Sequence, residues 1–350
     1  MPGLISYFGY RQTGPLLFQK YNAEMIVKNS FSNIVFTGIF ILLAWHGFPA
    51  FYPPLVSPDE LKSDSLNTVD SSLTDSLRAD SLSEMSGKPD SLAEEFPRKL
   101  ERKIVNNAFA VGEKLTFSIK YGFIKAGEAT MEVKDMVTIY DSIPAYHIVS
   151  TARSAKAFDL FYKVRDRVES ILDRDGLFSW EFRKILREGG YKFDLNVDYD
   201  QFYGKAQVEM IRYHNREPLE IRNQEEFDLP IPEYVLDILG AFYYVRTQRL
   251  EVGEPIEMAN HDNKKIYNLR VIIQKRERVK VKAGKFDCIL LQPRLQGEAI
   301  FKQKGKLWVW LTDDEFKIPV KMKSKVAVGS ISTELIKIEG INKRITARVD

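Results

Sequence analysis

The side chains able to carry chemistry are few in this 350-residue chain, and they stand apart from one another. Beyond residue 100 the histidines are His147, His214 and His261, none in an H-E-x-x-H or H-x-H frame. Strand or surface positions are expected for them rather than metal ligation. Cys288, the one cysteine, precedes Ile289-Leu290-Leu291 and reads as a buried thiol. A reactive thiol needs a base or a lowered pKa, and no partner is in view. A lone cysteine also excludes an intrachain disulfide. The carboxylate pairs Asp173/Asp175 and Asp313/Asp314 fall in turn-like stretches, where aspartate is favoured for backbone reasons. No G-x-S-x-G, phosphate-loop or G-x-G-x-x-G motif occurs. Arg165, Asp166, Arg167 and Glu169, interleaved with Val164 and Val168, read as a strand with one charged and one aliphatic face. The expectation is a protein without catalytic residues, cofactor or metal.

Binding is the alternative chemistry, and the aromatic supply is generous at 12% of residues. Phe158, Phe161, Tyr162, Trp180, Leu239, Phe242, Tyr243, Trp308 and Trp310 form the candidate set for an apolar or amphipathic ligand. Such pockets are mostly apolar with few polar anchors. For the two tryptophans, packing on Phe242 and Tyr243 is the competing reading.

These residues must be positioned by one helix and many strands. Pro232–Gln248 is amphipathic, with Val235, Ile238, Leu239, Phe242 and Val245 in one stripe, and predicts a covering helix over about 233–248. Gly240 in mid-helix implies close approach to a sheet. Strand patterns occupy Leu115–Tyr121, Gly127–Val133, Tyr146–Ala152, Val164–Leu172, Leu177–Arg187, Lys192–Tyr199 and Lys205–Tyr213 before the helix. After it come Ile266–Val279, Val281, Cys288–Gln292, Gly297–Phe301, Leu307–Leu311, Ile318–Ser324 and Ser330–Glu339. A mainly β fold follows: a curved antiparallel sheet or open half-barrel with one principal helix covering it.

The N-terminal region supplies an address. Ile34–Ala44 is uncharged and apolar, the uncharged run continues to Pro54, and Arg11, Lys20 and Lys28 precede it. The positive-inside bias puts residues 1–33 in the cytoplasm and the body outside. Residues 34–53 serve as a signal peptide or, given the poor cleavage sites at Leu42 and Ala44, an uncleaved anchor. Met25 is an alternative start. Residues 54–104 repeat Asp-Ser-Leu at Asp64, Asp75, Asp80 and Asp90, and predict a disordered acidic linker. Residues 105–343 make a single β-rich domain and 344–350 a tail. The net charge of +3 gives no case for nucleic acid. The expected location is the periplasmic side of the inner membrane, or the periplasm after cleavage. The membrane (through the apolar segment), lipid or lipoprotein, and envelope proteins are the expected partners.

Several stretches together carry a family resemblance: FSIKYGFIKAGEATM from Phe117, YKVRDRVESILDRDGLFSWEF from Tyr162 and VLDILGAFYYVR from Val235. ERVKVKAGKFDCILLQP from Glu277 and LWVWLTDDEFKIPVKM from Leu307 follow in order. The body resembles the DUF3108 family of bacterial exported proteins, which implies export but supplies no activity or site residue. In architecture alone it is similar to LolA-type lipoprotein-carrier half-barrels, which cup an acyl chain between sheet and helices. The first reading is an envelope protein binding a lipid-like ligand beneath the helix, the alternative a structural and interaction module without one; a hydrolase would need His147 or His261 beside a carboxylate and a hydroxyl.

Overall fold

A computed structural model describes residues 97–295, 307–325 and 329–350. The apolar segment 34–53, linker residues 54–96 and the strand expected at 297–301 lie outside the described residues.

The strand patterns build a single antiparallel sheet. The first run is β1 (Lys114–Tyr121), β2 (Ile124–Ile139), β3 (Ile143–Ser154), helix α1 (Lys156–Asp159), β4 (Arg165–Asp173) and β5 (Ser179–Glu188). It continues with β6 (Tyr191–Asp200), β7 (Lys205–Tyr213), β8 (Ile221–Pro230) and helix α2 (Ile238–Thr247). A second run holds β9 (Ile256–Asp262), β10 (Lys265–Val281), β11 (Gly284–Leu295), β12 (Leu307–Thr312), β13 (Pro319–Lys325) and β14 (Ser330–Glu339). Each run is a meander. The two join where β14 pairs with β1, giving the order β8-β7-β6-β5-β4-β3-β2-β1-β14-β13-β12-β11-β10-β9. The sheet is not closed, and β8 and β9 are its edges.

Inward and outward positions alternate because successive strand side chains point to opposite faces. In β5, Phe182, Lys184, Leu186 and Glu188 are buried while Glu181, Arg183, Ile185 and Arg187 are partly exposed. One core draws Leu115 and Phe117 from β1, Val168 and Leu172 from β4, Leu195 and Val197 from β6, Leu239 and Tyr243 from α2, and Val309 and Leu335 from the second run.

Antiparallel connection sorts the turns between two ends. The β2/β3, β4/β5, β6/β7, β10/β11 and β12/β13 turns share one end, and α2 crosses it. The β1/β2, β5/β6, β7/β8 and β9/β10 turns and the α1 connection form the opposite rim. Residues from Arg98 onward pack at the α2 end. Arg102 donates from Nε to Gly176 O (2.7 Å) and from Nη2 to Leu177 O (2.8 Å), and lies 4.3 Å from the Tyr234 ring centroid. The C-terminal residues pack at this end too: Val349 N–H donates to Lys285 O and Ala347 O accepts from Asp287 N–H, each at 2.9 Å.

The helix is shorter than its pattern predicts, beginning at Ile238 and not near Glu233. Tyr234 has φ +58 and the chain to Leu236 is extended. The backbone there is committed elsewhere. Val235 O accepts from Ser179 N–H at 3.1 Å, Leu236 N–H donates to Ala259 O at 3.1 Å, and Leu236 O accepts from His261 N–H at 2.8 Å. Two residues thus stitch β5 of the first meander to the edge strand β9 of the second. The edge strands β8 and β9 were not anticipated, since IRNQEEFDLP and IEMANHD lack clear apolar alternation.

Candidate functional site

Asp237 organises the start of α2. Fully buried, it accepts through Oδ1 from Leu239 N–H and Gly240 N–H, both at 2.8 Å. Its Oδ2 accepts from Ser170 Oγ at 2.6 Å and Ser179 Oγ at 2.5 Å. It is an N-cap of the preferred type, satisfying helix donors that would otherwise be orphaned. Burial pushes its carboxyl upward in pKa, and these hydrogen bonds oppose that push. The close approach read from Gly240 is present: a Cβ there would lie 2.9 Å from Ser179 Oγ and 3.0 Å from Leu172 Cδ1.

Arg246 fixes the other end of α2. Its side chain is wholly buried and forms a fork with Glu113, Nη1 to Oε1 at 2.6 Å and Nη2 to Oε2 at 2.7 Å. Nη2 also donates to Ala108 O and Phe316 O, both at 3.1 Å. The Tyr243 ring centroid is 5.0 Å from the guanidinium and that of Phe109 5.5 Å. Burial disfavours the charge, but the Glu113 carboxylate outweighs it and holds the guanidinium pKa above its ordinary value. Bidentate pairing of this kind suits a planar guanidinium. Arg246 thus acts as a bolt between α2, the entry to β1 and the β12/β13 turn.

Polar groups also line the inward face away from the ends of α2. Lys184, fully buried, stands 3.7 Å from Asp262 Oδ1. Burial lowers the Lys184 pKa and raises that of Asp262 to about 6. Tyr199 OH and His261 Nδ1 are 2.9 Å apart, and His261 Nε2 is 2.9 Å from Asn263 O. The carbonyl assigns the ring proton to Nε2, so Nδ1 accepts from the phenol. Burial drops the imidazole pKa to about 4. Nearby, Asp166 takes an inward position rather than joining the charged face expected of it. Its Oδ1 accepts from Arg187 N–H at 2.8 Å. Asp166 Oδ2 and Glu188 Oε2 are buried without a donor, and one proton shared between the two carboxyls would join them. Burial raises both, Asp166 to about 7.

Neither histidine with close polar partners assembles a catalytic group. His147 lies on the outer face with Nδ1 2.9 Å from Asp135 Oδ1 and Nε2 2.7 Å from Glu169 Oε2, so both nitrogens are engaged by carboxylates. His261 has a phenol and a backbone carbonyl, with no carboxylate on either nitrogen. Burial pushes the Cys288 thiol up to about 12, which makes it a poor nucleophile. Among the described residues, no group of three or more His, Cys, Asp or Glu side chains could hold a metal ion.

The nine candidate binding residues do not share one surface. Leu239, Phe242 and Tyr243 belong to the main core. Trp180 sits in a satellite cluster with Ala145 and Phe178, its Nε1 donating to Asp173 Oδ2 at 3.1 Å. Trp308 and Trp310 are half-buried on the outer face, away from Phe242 and Tyr243, and Trp310 Nε1 donates to Glu277 Oε1 at 2.7 Å. Phe158 and Phe161 lie at the rim, and Tyr162 folds back to bury its ring near Gly189. A concavity of about 570 Å³ does occur on the outer face, lined among others by Lys114, Glu128, Glu132, Thr130, Thr151 and Arg167. Its lining is charged and hydroxylated, the opposite of an acyl pocket.

Asp237, Ser170, Ser179, Glu113 and the inward Lys184 were missed in the sequence. The signals were faint but present: Asp-Ile-Leu-Gly at 237–240 is a cap spacing, and Lys184 sits at two-residue spacing between Phe182 and Leu186.

Comparison with known proteins finds distant likenesses among solved structures and one family match. A β-barrel-like protein of the domain of unknown function DUF1849 from Brucella abortus is 10% identical over 67% of this chain and 99% of its own, with a TM-score of 0.44. A protein of YmcC-like fold from Bacteroides fragilis is 11% identical over 68% of this chain and 100% of its own, with a TM-score of 0.29. No match is found among curated proteins. The family described as "Protein of unknown function (DUF3108)" matches residues 116–336, from β1 into β14. With that match spanning more than half of its length, the chain belongs to the DUF3108 family.

Proposed function

We propose that this protein is an exported, envelope-associated module without enzymatic activity, a packed β scaffold that acts through its outer surface and rim. The observation that carries this reading is the state of α2. Its inward face is filled by the protein's own core, and both of its ends are fastened by buried ionic groups, Asp237 and Arg246. A helix held in that way closes an end of the sheet. It is not free to lift over a ligand, because opening would strand a buried guanidinium without its carboxylate. Export rests on the sequence, through the apolar segment 34–53 with its basic flank.

A second reading keeps the lipid-like ligand but moves its entrance to the rim opposite α2. The inward polar groups Asp166, Glu188 and Lys184 favour it, because an amphipathic molecule entering there would find polar anchors within an otherwise apolar interior. Native mass spectrometry of the full chain extracted from membranes in mild detergent separates the two. The surface-module reading expects the bare polypeptide mass. A retained, stoichiometric lipid that survives collisional removal of detergent would establish the second.

A further inference from the structure

Four large apolar side chains stand exposed at the rim opposite α2. Phe123 forms the tip of the β1/β2 hairpin and is fully exposed; Ile124 beside it is 61% exposed. Leu160 and Phe161, just after α1, are 84% and 80% exposed. The two loops are neighbours. Gly127 of β2 pairs with Ser154 of β3, and Ala155 N–H donates to Ala126 O at 2.8 Å. Glycine is required at 127 for this approach, since a Cβ would lie 2.3 Å from Arg153 O. Hairpin tips favour Gly, Asn and Asp for backbone reasons. A phenylalanine there gives the fold nothing it needs.

Cationic side chains surround these tips. Lys120, Lys125, Arg153, Lys156, Lys163 and Arg165 fall within residues 120–125 and 153–165, with Asp159 the single acid in those windows. Lys120 pairs with Glu334, Lys125 and Arg153 with Glu128, and Arg165 with Asp159. Four of the six cations pair with three carboxylates; Lys156 and Lys163 on either side of Leu160-Phe161 make no ion pair among the described residues, and Asp159 and Glu217 bear on Lys163 only at longer range. Protein-protein interface cores are depleted in lysine. Apolar tips rising from a lysine-bearing shoulder are the pattern of an interfacial membrane contact, where rings enter the headgroup layer and ammonium groups meet phosphates.

We propose that this rim docks the body onto an anionic lipid surface, with Phe123, Ile124, Leu160 and Phe161 entering the headgroup layer beside Lys156 and Lys163. The inference rests on the surface-module reading and names its partner. It is distinct from any anchoring by the apolar segment 34–53, because it concerns loops of the folded body itself.

The test places an environment-sensitive nitrobenzoxadiazole dye on Phe123→Cys in the full chain, with the buried Cys288 left in place. Lys282→Cys in the β10/β11 turn, at the α2 end, is the control. Each labelled protein is reconstituted into vesicles of phosphatidylglycerol and phosphatidylcholine, and into phosphatidylcholine alone. The expected result is a blue-shifted emission at 123, quenched by brominated lipid, in anionic vesicles only, with position 282 unchanged. Adding Lys156→Glu and Lys163→Glu reduces the docked-to-free ratio by about tenfold or more, because each surface cation contributes measurably to anionic-lipid attraction. An unshifted dye at 123, an equal shift in phosphatidylcholine alone, or a shift that grows with protein concentration without lipid would each overturn the proposal. The last would assign the rim to a second copy of the chain. Bare mass in the spectrometer with an unshifted dye rejects the docking and spares the surface-module reading; retained lipid with a shifted dye does the reverse.

Discussion

Arg246 and Glu113 show how one residue can decide what a helix is for. Removing one partner leaves an uncompensated charge in the core, so Glu113→Gln is expected to cost about 3–5 kcal/mol in urea unfolding. Glu113→Leu combined with Arg246→Met, which removes both charges, should recover most of that loss. The carboxyl pair Asp166 and Glu188 makes a prediction of opposite kind. Lys184 and Arg212 bear on Glu188, and Arg187 and Arg165 on Asp166, yet burial still dominates and raises both carboxyls. Unfolded carboxyls titrate near ~4. From there to about 7 the folded chain holds more protons than the unfolded one, so the contribution of this pair to stability falls as pH rises through that window. His261 runs the other way, since its lowered value near 4 makes the unfolded chain the better proton acceptor up to roughly pH 6.5. Asp166→Asn with Glu188→Gln removes only the first effect. The double variant should melt higher than the parent at pH 8, with the gap narrowing towards pH 4.5, as measured by thermal unfolding across pH. Little of this could be read from the sequence. A charge on an inward strand position looks like any other until its register is known, and Glu113 and Arg246 are 133 positions apart.

At the scale of elements, the pattern of the chain was mostly legible. Alternation in LTFSIKY, SWEFRKILRE and YKFDLNVDYD shows strands because one face of each is truly buried. It failed at the edge strands: β8 pairs on one side only, and the second side of β9 meets just the Val235-Leu236 stitch, so both have less apolar demand on their side chains. Charges along β8, at Arg222, Glu225, Glu226 and Asp228, fit an edge guarded against further pairing. The start of α2 was placed too early for a related reason. Pro232 and Glu233 are good first-turn residues, yet Val235 and Leu236 give their backbone to Ser179 and β9, and tertiary pairing overrides local preference. Gly240 tests the outcome. In an open helix, Gly→Ala would stabilise by about 1 kcal/mol. Here the new methyl meets Ser179 Oγ, itself held by Asp237, so Gly240→Ala is expected to destabilise by about 1–3 kcal/mol in chemical denaturation.

Across the whole molecule, two meanders share one core, joined by β1 with β14 on one side and by the Val235-Leu236 stitch on the other. The expectation of a curved, unclosed antiparallel sheet with one principal helix holds, and the family assignment read from motifs holds with it. What the helix does in that sheet was not legible. Amphipathicity says only that one face is buried, and a lid and a plug carry the same stripe. The two are distinguished by how firmly their ends are fastened, which is a matter of stability within the native state. Hydrogen exchange under native conditions reads that stability directly. If α2 is a fixed closure, amides of Ala241–Val245 exchange as slowly as those of β4 and β5 and respond to denaturant with the same steep slope. Exchange of α2 ahead of those strands, with a shallow denaturant slope marking its separate opening, would contradict the account.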